Sequence, residues 1–309
     1  MPDAIGNKTA HDYHLDVPAP EQGFFAKGLG HGDWGAKNRL SHLFHCDWGM
    51  KNRLSRLFDP KSGNTVMLAF DHGYIMGATA GLERMDVTIA PLCRYADVLM
   101  ATRGAIRSCI PPTVHNAICL RATHDASVLI DDMSTGNGVG ADMEAAIRMN
   151  ASAVAIQCFI GGAGEARSLE TLCRAVDAGE RYGIPVLGVT AVGKEMARTT
   201  QYFLLAARML AELGASFVKT YYCDDFEKVV AACPVPIVIA GGKKLPEDEA
   251  LTMAYRAISD GARGVDMGRN IFQSEHPAAM CRAVAKIVHE KFTDREAFQF
   301  YQELAAQDN

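Results

Sequence analysis

The sequence predicts an α/β fold, a (β/α)8 TIM barrel with an N-terminal helical extension. Three observations support this prediction. Eight short apolar or β-branched runs follow one another from residue 66 onward, and helical patterns separate most of them. Polar and charged residues also gather where these runs end, which is where barrel enzymes carry their active sites.

The eight runs are the predicted strands of the barrel. They lie at residues 66–70, 98–101, 117–120, 153–158, 185–189, 216–219, 236–240 and 264–267. Eight strands alternating with helices over roughly 240 residues fit a (β/α)8 barrel in both count and length. An open doubly wound sheet is the alternative, but residues 71–73 read Asp-His-Gly, so no G-x-G-x-x-G follows the first run.

Apolar spacing of i, i+3, i+4 and i+7 predicts helices between the strands. One helix carries this spacing at Leu169, Leu172, Cys173 and Val176, and a second at Leu251, Ala254, Tyr255 and Ile258. Pro246 is suited to start the second helix, while Gly183 and Gly261 are suited to end the two helices. A last predicted helix carries Met280, Val284, Ile287 and Val288.

The N-terminal part of the chain differs from the rest. We predict an N-terminal arm over residues 1–60 and a catalytic barrel domain over residues 61–309. Residues 33–44 are echoed by residues 47–58, and each copy has the spacing of a short amphipathic helix. Two copies are too few for a solenoid. We expect this helix to close one end of the barrel, with an oligomer contact as the alternative.

The composition excludes several classes of function. With 49% hydrophobic residues and a net charge of −5, the chain can build a large core and lacks the basic excess of nucleic-acid or membrane-surface binders. No apolar run approaches the roughly 18 residues of a membrane span, and no signal peptide is evident. Nine cysteines without a C-x-x-C pair indicate reduced thiols in a cytoplasmic protein and no metal site.

Lys219 is the most informative single residue, because it stands at the end of the sixth apolar run. A lysine on a buried strand is costly unless its amine is paired, bound to an anion or kept neutral. A desolvated, neutral lysine is also a carbonyl nucleophile, the group that forms a Schiff base. A Schiff-base lysine and a plain ion-pair or anion-binding lysine both remain open.

Other polar residues stand at the ends of the remaining strands. Asp71 and His72 end the first strand and are further catalytic candidates. Asp71 could move a proton, orient the Lys219 amine, or simply accept backbone hydrogen bonds. His72 could take part in catalysis or only pack. The predicted ring at this face also includes Arg103, Arg121, Gln157 and Thr190.

Two glycine-rich segments follow the seventh and eighth strands and are suited to phosphate. The first contains Gly241, Gly242 and Lys243, and the second contains Gly268 and Arg269. Glycine lets backbone N–H groups approach an anion closely, and the two cations add charge. Loops after strands 7 and 8 of barrels often bind phosphate. A pair of tight turns with solvated cations is the alternative, but with Lys219 the pattern favours a phosphosugar enzyme.

Residues 71–73, 218–221, 241–244 and 268–273 resemble the archaeal-type class I aldolases of the DeoC/fructose-bisphosphate aldolase family. The resemblance covers about residues 45–300 and is strongest to a thiolase branch of that family, which degrades phosphorylated autoinducer-2. It implies a (β/α)8 barrel, Lys219 as the active-site lysine, and phosphate held near the two glycine-rich segments.

The resemblance also implies partners. It implies a phosphorylated small-molecule substrate, coenzyme A as co-substrate and acetyl acceptor, no bound cofactor, and a homo-oligomer, a decamer by analogy. Residues 188–193 contain no tyrosine, where fructose-bisphosphate aldolases of this family carry a Trp-x-Tyr element. This departure favours the thiolase over a class I fructose-bisphosphate or related phosphosugar aldolase. The extra copy at residues 33–44 is a second departure. A barrel that binds a phosphosugar as a sensor is a third hypothesis.

Overall fold

A computed structural model describes residues 48–192 and 198–307. Its strands are β1 Thr65–Ala69, β2 Val98–Thr102, β3 Ala117–Arg121, β4 Thr123–His124, β5 Gly138–Val139, β6 Ala153–Cys158, β7 Val186–Thr190, β8 Phe217–Tyr221, β9 Ile237–Ala240 and β10 Gly264–Met267. Eight of them form a closed parallel barrel in the order β1-β10-β9-β8-β7-β6-β3-β2. The predicted (β/α)8 barrel is confirmed, and the eight predicted runs are its eight strands.

Helices connect the barrel strands and cover their outer face. They are α1 Trp48–Leu57, α2 Gly73–Met76, α3 Met85–Thr88, α4 Arg103–Cys109, α5 Met143–Arg148, α6 Glu165–Tyr182, α7 Thr200–Glu212, α8 Phe226–Ala232, α9 Glu247–Ser259, α10 Arg269–Phe272, α11 Pro277–Glu290 and α12 Asp294–Gln307. Gly183 ends α6 in the left-handed conformation, with φ of 67°, as its predicted role as a stop requires.

Helix α12 and the two short strands β4 and β5 were not predicted from the sequence. The helix α12 buries Ala297, Tyr301 and Leu304, an i, i+4, i+7 pattern that was present in the sequence. The strands β4 and β5 form a separate antiparallel pair in the segment between β3 and β6. Two-residue strands carry too little periodicity to be recognised from the sequence.

The strand register decides which side chains enter the barrel. Side chains alternate between the two faces of a strand, and paired residues of neighbouring parallel strands share a face. Met67 pairs with both Val98 and Asp266, and Val189 pairs with Lys219. Following the pairs around the barrel gives an inward-facing set that includes Met67, Met100, Arg121, Gln157, Lys219 and Asp266.

The N-terminal end of the barrel is closed by apolar contacts. Phe58, directly after α1, packs edge to face on Phe217 at the start of β8, with 5.6 Å between ring centroids. Arg53 on α1 donates to the carbonyl of Gly183, just before β7, at 2.9 Å. This agrees with the expectation that the segment 47–58 closes one end of the barrel. Its first copy, residues 33–44, lies outside the described residues.

Candidate active site

The carboxyl ends of the strands bring four charged side chains together inside the barrel. Asp71 follows β1, Arg121 ends β3, Lys219 lies on β8 and Asp266 on β10. All four are buried. Two of these side chains are acidic and two are basic, so the cluster is balanced in charge, as a buried group of this kind must be.

Lys219 and Asp266 form one of two buried ion pairs. Lys219 Nζ lies 2.9 Å from Asp266 Oδ2, and the side chains are 11% and 0% exposed. Met100 Sδ is a weak neighbour of the amine at 3.8 Å. Burial raises the pKa of Asp266, and the charge of Lys219 offsets only part of that effect. The lysine is thus both shielded, as predicted, and paired with a carboxylate that the sequence analysis did not identify.

Asp71 and Arg121 form the second buried pair. Nε and Nη2 of Arg121 both lie 2.7 Å from Asp71 Oδ2. Burial by itself would raise the pKa of Asp71, but Arg121 and Lys219 outweigh it and lower the pKa to about 2. Asp71 therefore stays ionised at neutral pH. Of its predicted roles, this geometry favours a fixed charge near the lysine over a proton shuttle.

His72 lies beside Asp71 at the edge of the cluster. Its Nδ1 is 4.0 Å from Asp71 Oδ1, and its ring contacts Phe272 edge to face, with 5.7 Å between centroids. Burial lowers the pKa of His72 to about 4, although Asp71 acts in the opposite direction. The imidazole is therefore neutral at pH 7. Its catalytic role stays a prediction.

A polar network extends from Arg121 toward the segment between β3 and β6. The guanidinium lies over the ring of Tyr74, 5.7 Å from its centroid, and Tyr74 Oη donates to Asp125 Oδ2. The other carboxylate oxygen of Asp125 accepts from Asn137 Nδ2 at 2.8 Å. Sequence analysis missed this network, because none of its members stands in an apolar run. The network holds Arg121 in place.

The glycine-rich segment after β9 is fixed by the segment after β10. Asn270 Nδ2 donates to the carbonyl of Gly241 at 2.7 Å, and Asn270 Oδ1 accepts from the backbone N–H of Leu245 at 2.8 Å. A Cβ at Gly241 would lie 3.1 Å from Asn270 Nδ2, so this position favours glycine. Gly242 has φ of +68°, which also favours glycine. The two predicted phosphate segments therefore form one unit.

Gly268 brings the segment after β10 against His72. A Cβ at Gly268 would lie 2.4 Å from the carbonyl oxygen of Ala69 and 2.6 Å from His72 Cε1. Arg269 is close enough for its charge to lower the pKa of His72 further. Lys243 is exposed, and among the described residues neither it nor Arg269 has an ion-pair partner. Two cations thus remain available to an anion at this end of the barrel.

Not every residue of the predicted ring joins the cluster. Thr190 lies out of phase with the inward-facing Val189, so its side chain is directed toward the surrounding helices. Arg103 is exposed. Gln157 and Arg121 both face into the barrel. Gln157 is uncharged, and within the described residues Arg121 joins the cluster through its ion pair with Asp71.

Within 48–192 and 198–307, no group of three or more His, Cys, Asp or Glu side chains is arranged to hold a metal ion. None of the helices in these two ranges has the length and apolar character needed to span a membrane. Eight cysteines in the described part of the chain are free thiols.

A barrel with a shielded lysine at the carboxyl ends of its strands is the arrangement of a class I aldolase. The sequence profile of the DeoC/LacD family aldolases matches residues 65–274. The chain belongs to this family, and the predicted resemblance to class I aldolases is confirmed.

Known proteins of this family are similar over nearly the whole chain. The chain is 52% identical over 304 residues to a 3-hydroxy-5-phosphonooxypentane-2,4-dione thiolase of Enterobacter sp. (strain 638), covering 98% of both chains. A protein of the same name from Klebsiella pneumoniae subsp. pneumoniae is also 52% identical over 304 residues, with 98% of both chains covered.

The same barrel occurs in solved structures. An archaeal fructose-1,6-bisphosphate aldolase, with its catalytic lysine covalently bound to the carbinolamine intermediate of its substrate, is 24% identical and has a TM-score of 0.70. The match covers 78% of this chain and 99% of that chain.

Proposed function

We propose that this chain is a thiolase that cleaves 3-hydroxy-5-phosphonooxypentane-2,4-dione with coenzyme A. The products are acetyl-CoA and dihydroxyacetone phosphate, and the reaction belongs to the breakdown of phosphorylated autoinducer-2. The observation that carries this proposal is the shielded Lys219 amine inside the barrel of a chain 52% identical to proteins of that name. Coenzyme A is a co-substrate, and no bound cofactor or metal is part of the proposal.

The proposed reaction begins at the phosphate. The substrate is CH3–CO–CH(OH)–CO–CH2–phosphate. The unit made by Gly241, Gly242, Lys243, Gly268 and Arg269 binds the phosphate through backbone N–H groups and two cations. This unit lies at the end of the barrel that contains Lys219, so a phosphate bound there brings the adjacent C4 ketone toward the amine.

Lys219 then supplies covalent catalysis. Its amine condenses with the C4 ketone, and loss of water gives an iminium ion. Coenzyme A loses its thiol proton as its sulfur bonds to the C2 carbonyl carbon, and the C2–C3 bond breaks to release acetyl-CoA; the later protonation at C3 takes up one proton in return. The electron pair of that bond moves into the iminium ion and forms an enamine. Protonation at C3 and hydrolysis of the iminium release dihydroxyacetone phosphate and regenerate the amine.

Asp71 and His72 border this reaction on the β1 side. The lowered pKa of Asp71 suits it to stabilise the positive charge of the iminium rather than to accept protons. His72 is neutral and lies partly buried beside Gly268, which suits it to bind a hydroxyl or phosphate oxygen. Both assignments are part of the proposal. We also propose that the enzyme works in the cytoplasm as a homo-oligomer, a decamer by analogy with its family.

The test is to incubate the protein with the phosphorylated dione, with and without coenzyme A, and to measure acetyl-CoA. A Lys219→Met variant and a matched Lys243→Met variant, which loses an exposed cation, accompany the wild type. We expect acetyl-CoA only with coenzyme A, loss of turnover by about 10³-fold or more in the first variant, and a raised KM in the second. Cyanoborohydride with substrate should add mass to the peptide that contains Lys219.

Other results would change the proposal. Cleavage of fructose 1,6-bisphosphate to an aldehyde without coenzyme A would favour a class I fructose-bisphosphate or related phosphosugar aldolase. Tight binding of the dione without turnover under any acceptor would favour a sensor. An unlabelled Lys219 in an active enzyme would exclude the Schiff base.

A further inference from the structure

Asp266 is a buried carboxylate to which the proposed reaction assigns no role. Its side chain is fully shielded from solvent, and Lys219 on β8 reaches it on β10 across β9, at 2.9 Å. The residues of β9 that share the inward-facing phase there are Val238 and Ala240. Neither carries a polar side-chain atom, so the contact between amine and carboxylate is direct.

Other charged or titratable groups near this pair come from two further elements. Asp71 and His72 follow β1, and Arg121 and Cys119 lie on β3. Burial lowers the pKa of His72 to about 4, so this imidazole is neutral at pH 7. Asp71 and Arg121 neutralise each other through the contacts at 2.7 Å. Burial raises the pKa of Cys119, so this thiol is neutral. Lys219 and Asp266 are therefore the proton donor and the proton acceptor of the cluster that are in direct contact.

The two carboxylates of the cluster differ as proton acceptors. Asp71 has its pKa lowered to about 2 and two guanidinium nitrogens on one oxygen. Burial raises the pKa of Asp266, and among the described residues neither of its oxygens has a hydrogen bond besides the ion pair with Lys219. Asp266 therefore takes a proton from a neighbouring ammonium at a lower cost in free energy than Asp71 does.

We propose that Asp266 is a catalytic residue that takes a proton from the Lys219 ammonium and returns it when water leaves. This inference rests on the proposed Schiff-base function and adds an acid–base partner to it. Asp266 touches the nitrogen atom that reacts, whereas Asp71 is held in an ion pair with Arg121.

The step balances in atoms and charge. The ammonium and carboxylate become amine and carboxylic acid by transfer of one proton. The amine adds to the ketone, and a proton moves from nitrogen to oxygen, which gives a carbinolamine. The carboxylic acid then protonates the departing hydroxyl, the C–O bond breaks, and water leaves. The iminium ion that remains carries one positive charge beside the Asp266 carboxylate, so the net charge of the site never changes.

The test uses dihydroxyacetone phosphate as the probe, because it forms the same iminium without coenzyme A. We compare wild type, Asp266→Asn and Asp266→Glu by the rate at which cyanoborohydride fixes the probe to Lys219. Asp97→Asn is the matched control, since Asp97 forms its ion pair with His289 at 2.9 Å, near the start of β2. Rates are divided by the folded fraction from circular dichroism, so a loss of folding is not counted as a loss of chemistry.

We expect Asp266→Asn to slow trapping by about 10²-fold or more, the usual contribution of a positioned acid or base. The ratio of its rate to the wild-type rate should rise with pH, because the ammonium must now lose its proton to solvent. Taking the ratio at each pH cancels the pH dependence of the reductant. Asp266→Glu should recover much of the rate with a flat ratio, and Asp97→Asn should match the wild type.

Three results would overturn the proposal, and only the last of them would also remove the proposed function. Equal trapping by Asp266→Asn and wild type, at a constant ratio over pH, would leave the Schiff base intact and exclude Asp266 as its proton partner. A slow Asp266→Asn variant with a constant ratio would make Asp266 a positioning residue only. Absence of trapping in the wild type would remove the proposed function and this inference together.

Discussion

Two buried ion pairs meet inside the barrel, and they are built differently. Arg121 places two nitrogens 2.7 Å from one oxygen of Asp71, and its guanidinium also lies over the ring of Tyr74, which donates to Asp125. Lys219 makes one contact of 2.9 Å with Asp266, and its other polar neighbour is a thioether. The Asp71–Arg121 pair is fixed by a polar network, whereas the Lys219–Asp266 pair is held mainly by the electrostatic attraction between its two charges.

The difference separates a permanent charge from a reactive one. A guanidinium does not lose its proton in proteins, so the Asp71 pair cannot be neutralised by proton transfer. An ammonium can lose its proton, and a carboxylate whose pKa is raised can receive it. Removing one partner should therefore have different consequences in the two pairs.

The largest expected effect is on stability. Arg121→Met leaves Asp71 buried without its partner and should lower the free energy of unfolding by about 3–5 kcal/mol. Lys219→Met should cost no more than about 2 kcal/mol, because Asp266 can become neutral and an apolar side chain fills the space. Urea unfolding at pH 7 measures both. Equal losses would mean that the two pairs do not differ in this way.

The second effect is on the pH dependence of stability. His72, beside the first pair, has its pKa lowered from 6.5 to about 4, so the unfolded chain binds more protons between these values. Its contribution, about 3 kcal/mol, is present above pH 6.5 and is lost as the pH falls to 4. Asp266 affects stability in the opposite direction. Its raised pKa makes the folded chain bind more protons than the unfolded chain above pH 3.8, so its contribution to stability falls as the pH rises.

Urea unfolding of variants between pH 4 and 7 tests these signs. His72→Gln should flatten the loss of stability toward acid. Asp266→Asn should steepen it, because the carboxyl that favours the folded state at low pH is gone. An unchanged pH dependence in both variants would show that the loss of stability toward acid comes from groups elsewhere in the protein.

Strand positions could be predicted from the sequence because barrel strands are buried on both faces and read as apolar runs. Polar residues that interrupt such runs are conspicuous, which is why Lys219 and Arg121 were recognised at the strand ends. Asp266 interrupts a run in the same way, inside Gly264–Met267, and could have been identified by the same signal.

Pairing could not be predicted from the sequence. Which acid meets which base depends on the register around a closed barrel, where Lys219 and Asp266 are separated by a strand. From the sequence, Asp71 could move a proton, orient the Lys219 amine or accept backbone hydrogen bonds. The tertiary structure brings Asp71 into contact with Arg121, and this contact lowers the pKa of Asp71 and makes it a weak base. Tyr74 and Asp125 lie in irregular segments where no periodicity marks them.

The third prediction concerns the support of the first pair. Tyr74→Phe removes the hydroxyl that donates to Asp125 and leaves that carboxylate with Asn137. We expect a loss of about 1–2 kcal/mol in the free energy of unfolding, the cost of a partly buried acceptor that loses its donor. Asn116→Ala is the control near the N-terminal ends of the strands. Its amide donates to the carbonyls of Cys93 and Ala96, so we expect a loss in the free energy of unfolding of similar size.

The smallest effect should come from Met100, the thioether beside the second pair. Its sulfur lies 3.8 Å from the Lys219 amine, at the limit of a weak contact. Met100→Leu conserves volume and should change the free energy of unfolding by less than about 1.5 kcal/mol. Cyanoborohydride trapping at Lys219 should also stay close to the wild-type rate, because the contact with Asp266 positions the amine. A large loss of trapping in this variant would mean that the thioether, and not the carboxylate alone, holds the lysine in its reactive position.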